Sequence, residues 1–115
     1  MTNQLEALIA LQDLDLLIRE VRDPALAIRE ERLGFPLANV ERLEQTRAKL
    51  TKQIDAKLLQ TYERISRRFV RAVVPVDGSV CLGCFMGLPT ATAKRTANPA
   101  IIENCENCGR ILYRI

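Results

Sequence analysis

The four cysteines of the chain form two closely spaced pairs near its carboxy terminus. The pairs are Cys81-Leu82-Gly83-Cys84 and Cys105-Glu106-Asn107-Cys108, with twenty residues between them. Two C-x2-C turns at this separation are typical of a tetrahedral zinc site, because each turn presents two thiolates to one side of the ion. Gly83 and Gly109 are expected to supply the tight backbone conformations that such turns need. The spacing predicts one zinc ion, and its ligands are Cys81, Cys84, Cys105 and Cys108.

Three other uses of these cysteines compete with zinc: a redox pair, disulfides and an iron site. A thioredoxin-like redox pair needs a single C-x-x-C at a helix start in an α/β context, which the sequence does not provide. Two disulfides suit a secreted chain, and no basic segment or long apolar run indicates secretion. An iron site with the same ligands stays open, because spacing alone does not separate iron from zinc. Four thiolates close the coordination sphere, so we expect the metal to be structural.

The sequence also bears on catalysis, because none of its 115 residues is histidine. Histidine is the commonest general acid or base, and it activates serine and cysteine nucleophiles. The chain also has no glycine-rich phosphate loop, and a closed metal site leaves no position for a substrate. We therefore expect a protein that is not an enzyme and whose one cofactor is a structural Zn²⁺.

Two amphipathic helices are predicted ahead of the cysteines. Over residues 4–28 apolar side chains recur at alternating steps of three and four, the pattern of a coiled-coil seam. Pro24 predicts a kink, and Leu-Gly-Phe-Pro at 33–36 predicts the turn into the second helix. A second apolar stripe, interrupted by Arg47, continues to Pro75. We expect an antiparallel coiled-coil hairpin whose longer second helix extends past the first.

The last third of the chain loses the helical period. Short strands are predicted at Val74–Val80, Ala100–Glu103 and Arg110–Ile115. A segment this small buries too little apolar surface to fold alone, so metal binding, worth on the order of 10–16 kcal/mol in zinc peptides, must stabilise it. The predicted fold is mainly α with a small β zinc ribbon: a helical hairpin over residues 1–74 and a C4 ribbon over residues 75–115.

Three stretches of this last third resemble a group of bacterial C4-type zinc-ribbon proteins, in which a coiled-coil hairpin precedes the ribbon. The stretches read VDGSVCLGC at 76–84, MGLP at 86–89 and IIENCENCGRILY at 101–113. Residues 8–15 resemble the amino terminus of the same family more weakly, and the helical part is shorter than is usual there. The resemblance implies the same four cysteine ligands. It also implies a role in binding nucleic acid or as an adaptor for transcription or secretion machinery.

A cluster of basic residues marks a candidate contact surface. Four arginines are spaced to share one face of the predicted second helix, and the ribbon contributes three further basic residues. Arginine clusters suit phosphate because the guanidinium group forks to two oxygens. A solvated helix face is the alternative explanation. The candidate contact residues are Arg64, Arg67, Arg68, Arg71, Lys94, Arg95 and Arg110.

Two hypotheses of function follow. In the first, the protein is an adaptor or regulatory protein that binds a cytosolic protein partner through the ribbon and the hairpin. In the second, the basic end of helix two and the ribbon bind RNA or DNA, mainly through phosphates. Neither hypothesis involves a membrane, and we expect a cytoplasmic protein. Four leucines are expected to remain outside the hairpin: Leu5, Leu16, Leu26 and Leu59. A patch of this kind needs a cover, either a second copy of the chain in a homodimer or a partner.

Overall fold

The computed structural model describes residues 4–22, 40–98 and 100–114, with helices in the first part and a small sheet in the second. This confirms the predicted fold class, mainly α with a small β ribbon. The predicted kink near residue 24 and the turn at 33–36 lie outside the described residues. Among the described helices, none has the length and apolarity needed to cross a membrane. The elements are α1 Gln4–Arg22, α2 Val40–Thr51, α3 Ala56–Ser66, β1 Val73–Asp77, β2 Val80–Cys81, α4 Thr90–Arg95, β3 Glu103–Asn104 and β4 Ile111–Arg114.

The predicted second helix is broken between α2 and α3. Ile54 is buried at the break. The side chain of Gln4 donates to the carbonyl of Gln53 at 2.9 Å and accepts from the N–H of Asp55 at 2.8 Å. Asp55 then caps α3, since its carboxylate accepts from the N–H of Leu58 at 3.3 Å. The prediction of one continuous helix is wrong, because a capping residue and these tertiary bonds outweigh an apolar period that continues through the break.

Side-chain hydrogen bonds and ion pairs show how α1, α2 and α3 lie relative to one another. Arg22 pairs with Glu44, and the Nε of Arg47 donates to the Oδ1 of Asp15 at 2.6 Å, so α2 runs antiparallel to α1. The hydroxyl of Tyr62 donates to the Oδ2 of Asp15 at 2.7 Å, which places α3 alongside α1. The chain therefore folds back after α2 and does not extend past the first helix. The predicted coiled-coil hairpin of two long helices is not confirmed.

Arg47 interrupts the second apolar stripe because it links α2, on which it lies, to both α1 and α3. Besides its bond to Asp15, its Nη2 lies 3.5 Å from the Oε1 of Glu63 on α3. Burial raises the pKa of Tyr62 well above its usual range, and the Asp15 carboxylate adds to the shift. The phenol therefore stays protonated, as its bond to Asp15 requires.

The arginine cluster is not on one helix. Because α3 ends at Ser66, only Arg64 is helical, and Arg67, Arg68 and Arg71 lie in the connection to β1. The chain must leave the helix here for Val73 to enter the sheet. The prediction that the four arginines share one helix face is therefore wrong.

The four strands form one sheet in the order β2-β1-β4-β3. The central pair, β1 and β4, is parallel, and the two outer pairs are antiparallel. Since side chains alternate along a strand, β1 serves two cores. Val73 and Ile111 pack against the helices, whereas Val74, Val76 and Leu112 pack with the cysteines.

The helices and the sheet are joined by a buried amide. Gln12 of α1 donates through Nε2 to the carbonyl of Val73 at 2.8 Å, and its Oε1 accepts from the N–H of Val73 at 2.7 Å. Leu8 and Leu11 are fully buried in the same core.

Leu5 is buried there as well, so it is not part of an exposed patch that a second copy could cover. The predicted domain boundary at residue 75 falls inside β1 and stays a prediction.

We expect Gln12→Leu to lower the free energy of unfolding by on the order of 3 kcal/mol. The substitution keeps the volume but leaves a buried N–H and a buried carbonyl without partners. Gln60→Leu, at an exposed position of α3, should change it by less than about 0.5 kcal/mol. Urea denaturation of the two variants measures the difference. Equal stabilities would contradict the role assigned to Gln12.

Candidate metal centre

The structure brings the four predicted ligand atoms together. The four Sγ atoms all lie within 4.8 Å of one another. Cys81 Sγ is 3.9 Å from Cys108 Sγ, and Cys84 Sγ is 3.7 Å from Cys105 Sγ. A regular tetrahedron with Zn–S bonds of about 2.3 Å has edges of about 3.8 Å. The sulfur positions therefore fit one tetrahedral zinc ion.

The two C-x2-C turns have the same backbone hydrogen bonds. In each turn the residue after the second cysteine donates its N–H to the carbonyl of the first cysteine, at 2.7 and 2.8 Å. The N–H of the first cysteine donates to the carbonyl five residues later, at 3.1 and 2.8 Å. The residue after the second cysteine also has a left-handed backbone in both turns: Phe85 has φ +62° and Gly109 has φ +80°. The site is thus built from two equivalent turns.

The two glycines that the sequence analysis singled out serve different purposes. Gly109 has the left-handed φ that glycine adopts without strain, as predicted. Gly83 does not have a left-handed backbone. A Cβ at Gly83 would lie 2.4 Å from Nη1 of Arg110 and 3.1 Å from Cγ2 of Val74. What sets Gly83 apart is therefore the close approach of the Arg110 and Val74 side chains to its backbone, not a special dihedral angle.

The surroundings of the sulfurs shift the pKa of Cys84 in the opposite direction from the pKa values of Cys81 and Cys108. The side chain of Asn107, in the second turn, lowers the pKa of Cys84 to about 6. Burial raises the pKa of Cys108 to about 12 and raises the pKa of Cys81 as well. Four thiolates this close together repel one another, and a divalent cation is what allows all four to be ionised at neutral pH.

The position of the cysteines in the sheet shows what a bound metal would do. The first turn follows β2 at one edge of the sheet, and the second turn connects β3 to β4 at the other side. When bound, zinc supplies a cross-link between these two turns. All four ligand positions are protein sulfurs, so this metal site is structural.

The predicted contact residues differ in what they do. Arg95 pairs with Glu103, and the guanidinium of Arg110 lies 3.9 Å from the ring centroid of Phe69. These two arginines therefore have structural partners within the protein. The other five are exposed and form no ion pair with a described residue; they are Arg64, Arg67, Arg68, Arg71 and Lys94. Their role in binding a partner stays a prediction.

Two further residues of interest lie beside the metal centre. The side chain of Phe85 is 73% exposed and that of Met86 is 52% exposed. The sequence analysis did not single them out as site residues. The signal was nevertheless present, because Phe85 occupies the place in the first turn that Gly109 occupies in the second.

Comparison with known proteins supports the metal centre. Residues 80–112 match the family model of the C4-type zinc ribbon domain. This stretch contains all four cysteines, so the carboxy-terminal part of the chain is a C4-type zinc ribbon with one structural zinc site. The resemblance inferred from the sequence is thereby confirmed. No curated protein matches the chain.

Two solved structures resemble the chain beyond the ribbon. One is CT398 from Chlamydia trachomatis, with 26% identity and a TM-score of 0.63 over 79% of this chain. The other is the HP0958 protein from Helicobacter pylori, with 22% identity and a TM-score of 0.63 over 80% of this chain. Each match covers 38% of the other protein, so well under half of each of these proteins has a counterpart in this chain.

We expect the purified, reduced protein to contain one zinc ion per chain by elemental analysis. Cys84→Ser should lose the metal, and a strong chelator should unfold the ribbon, because metal binding supplies its folding energy. Ser79→Ala, at an exposed position near the first turn, should keep the metal and the unfolding midpoint. Stoichiometric iron in place of zinc, or a ribbon that keeps its fold after chelation, would contradict this assignment.

Proposed function

We propose that the protein is a non-enzymatic, zinc-stabilised adaptor that binds a protein partner through the tip of its ribbon. The ribbon tip is defined as Phe85 and Met86, which follow the first cysteine turn. The observation that carries the proposal is the exposed phenylalanine with a left-handed backbone.

The stability of the fold does not account for Phe85. A residue other than glycine in the left-handed region costs about 1–2 kcal/mol. Burial of the aromatic ring could offset this cost, but the ring is 73% exposed. The equivalent turn uses Gly109 and avoids the strain. Strained residues that bring no stability concentrate at functional positions, and an exposed aromatic ring is a common anchor at protein interfaces.

The surface beside Phe85 also suits a protein partner. Met86 adds a flexible, polarizable side chain of the kind enriched at interfaces. A cavity of about 580 Å³ adjoins it, lined by Met86, Leu88, Pro89 and residues of the second cysteine turn. A side chain of the partner can occupy this cavity while Phe85 packs against the neighbouring surface of the partner.

The lack of histidine and the four-thiolate ligand set support a role without catalysis. The second hypothesis, nucleic-acid binding, is favoured by the four exposed arginines between residues 64 and 71. The two hypotheses differ in the surface that they require. The adaptor needs the ribbon tip, whereas nucleic-acid binding needs the whole row of arginines, including Arg67 and Arg71.

Phe85→Gly is expected to separate stability from binding. The variant should keep its zinc and gain up to about 1 kcal/mol in free energy of unfolding, because it relieves the backbone strain. In a pull-down from nuclease-treated native cytosol it should lose the proteins that the parent chain retains. Urea denaturation and quantitative comparison of the bound proteins measure the two effects.

Arg67→Glu/Arg71→Glu is the control for the basic segment, and it should retain those proteins. Two results would contradict the adaptor hypothesis. One is the disappearance of all bound proteins on nuclease treatment of the parent chain. The other is full retention by Phe85→Gly together with loss by the arginine variant, which would favour nucleic-acid binding.

A further inference from the structure

A second cavity lies between the end of α3 and the second cysteine turn. We call it the arginine cavity; its volume is about 360 Å³. Arg64, Ile65, Arg68 and Phe69 line it from the side of α3, and Cys108 and Gly109 line it from the side of the ribbon.

The walls of the arginine cavity combine positive charge with an apolar floor. Ile65 is buried and Phe69 is half-buried, so they form the apolar part. Arg64 and Arg68 are exposed, and neither forms an ion pair with a described residue. The guanidinium of Arg68 lies 5.7 Å from the ring centroid of Phe69, which holds charge and apolar surface close together.

We infer that the arginine cavity binds an acidic segment of the protein partner. A carboxylate of that segment accepts hydrogen bonds from Arg64 and Arg68, whose planar guanidinium groups match its two oxygens. An apolar side chain next to the carboxylate packs on Ile65 and Phe69. This inference rests on the proposed adaptor function, since it adds a second contact for the same partner.

The composition of the cavity favours a peptide over a nucleic acid. A nucleic acid presents a long row of phosphates or unstacked bases. The guanidinium of Arg110 covers one face of the Phe69 ring at 3.9 Å, so the ring surface left open suits a small apolar side chain better than a planar base. A single carboxylate with an apolar neighbour fits these walls better than a polyanion does.

The test uses fluorescence anisotropy with the zinc-loaded chain and a labelled synthetic peptide of alternating glutamate and leucine. We expect saturable binding that weakens by at least about tenfold in Arg64→Glu/Arg68→Glu. Arg67→Glu/Arg71→Glu makes the same charge change outside the cavity and should weaken binding by less than about threefold, as expected for long-range electrostatics alone. A peptide with glutamine in place of glutamate should bind at least about tenfold more weakly.

The inference is overturned if the glutamate–leucine peptide does not bind, or if both arginine variants weaken it equally. It is also overturned if a single-stranded oligonucleotide of equal charge binds more tightly than the peptide and is lost in the same variants. These results are independent of the ribbon tip. If Phe85→Gly still loses the bound proteins while the peptide does not bind, only the arginine cavity is disproved and the adaptor function stands.

Discussion

Four sulfur atoms within 4.8 Å of one another form the constraint on which the rest of the ribbon depends. Thiolates at this separation repel strongly, and a divalent cation compensates the repulsion. The consequence reaches beyond the ribbon, because β1 lies between the cysteines and the helices. Val74 and Val76 pack with the cysteines while Val73 packs with α1. A structural zinc therefore also determines the surface on which the helices pack.

The sequence was sufficient for the parts of the fold that depend on local spacing. Two C-x2-C pairs identified all four ligands, because a turn of this length presents both sulfurs on one side. The apolar period in the same way identified α1 as an amphipathic helix. The break between α2 and α3 was not predicted, since it depends on hydrogen bonds of the Gln4 side chain with Gln53 and Asp55, forty-nine and fifty-one residues away. The local signal for it was Asp55 itself, a capping residue inside an apolar stripe. The parallel pairing of β1 and β4 likewise involves partners too distant in sequence for local patterns to reveal.

The two cysteine turns provide an internal control for what zinc binding requires. They have the same hydrogen bonds and the same left-handed backbone, yet one has Phe85 where the other has Gly109. If zinc binding were the only requirement, glycine would suffice in both turns. Zinc binding therefore does not explain why the first turn has Phe85, and the reason must lie outside the metal centre. An exposed aromatic anchor for a partner is the explanation proposed here.

In the proposed adaptor, the metal also contributes to recognition, although it does not touch the partner. The proposed ribbon tip follows the first cysteine turn, and the arginine cavity is lined by the second. Because zinc cross-links the turns, it fixes the spacing between these two surfaces, and Gln12 fixes the sheet relative to α1. A partner that contacts both surfaces loses less conformational entropy on binding when they are held in place beforehand. In this interpretation the structural zinc contributes to affinity by preorganisation, and its removal would weaken binding even where a contact residue itself is unchanged.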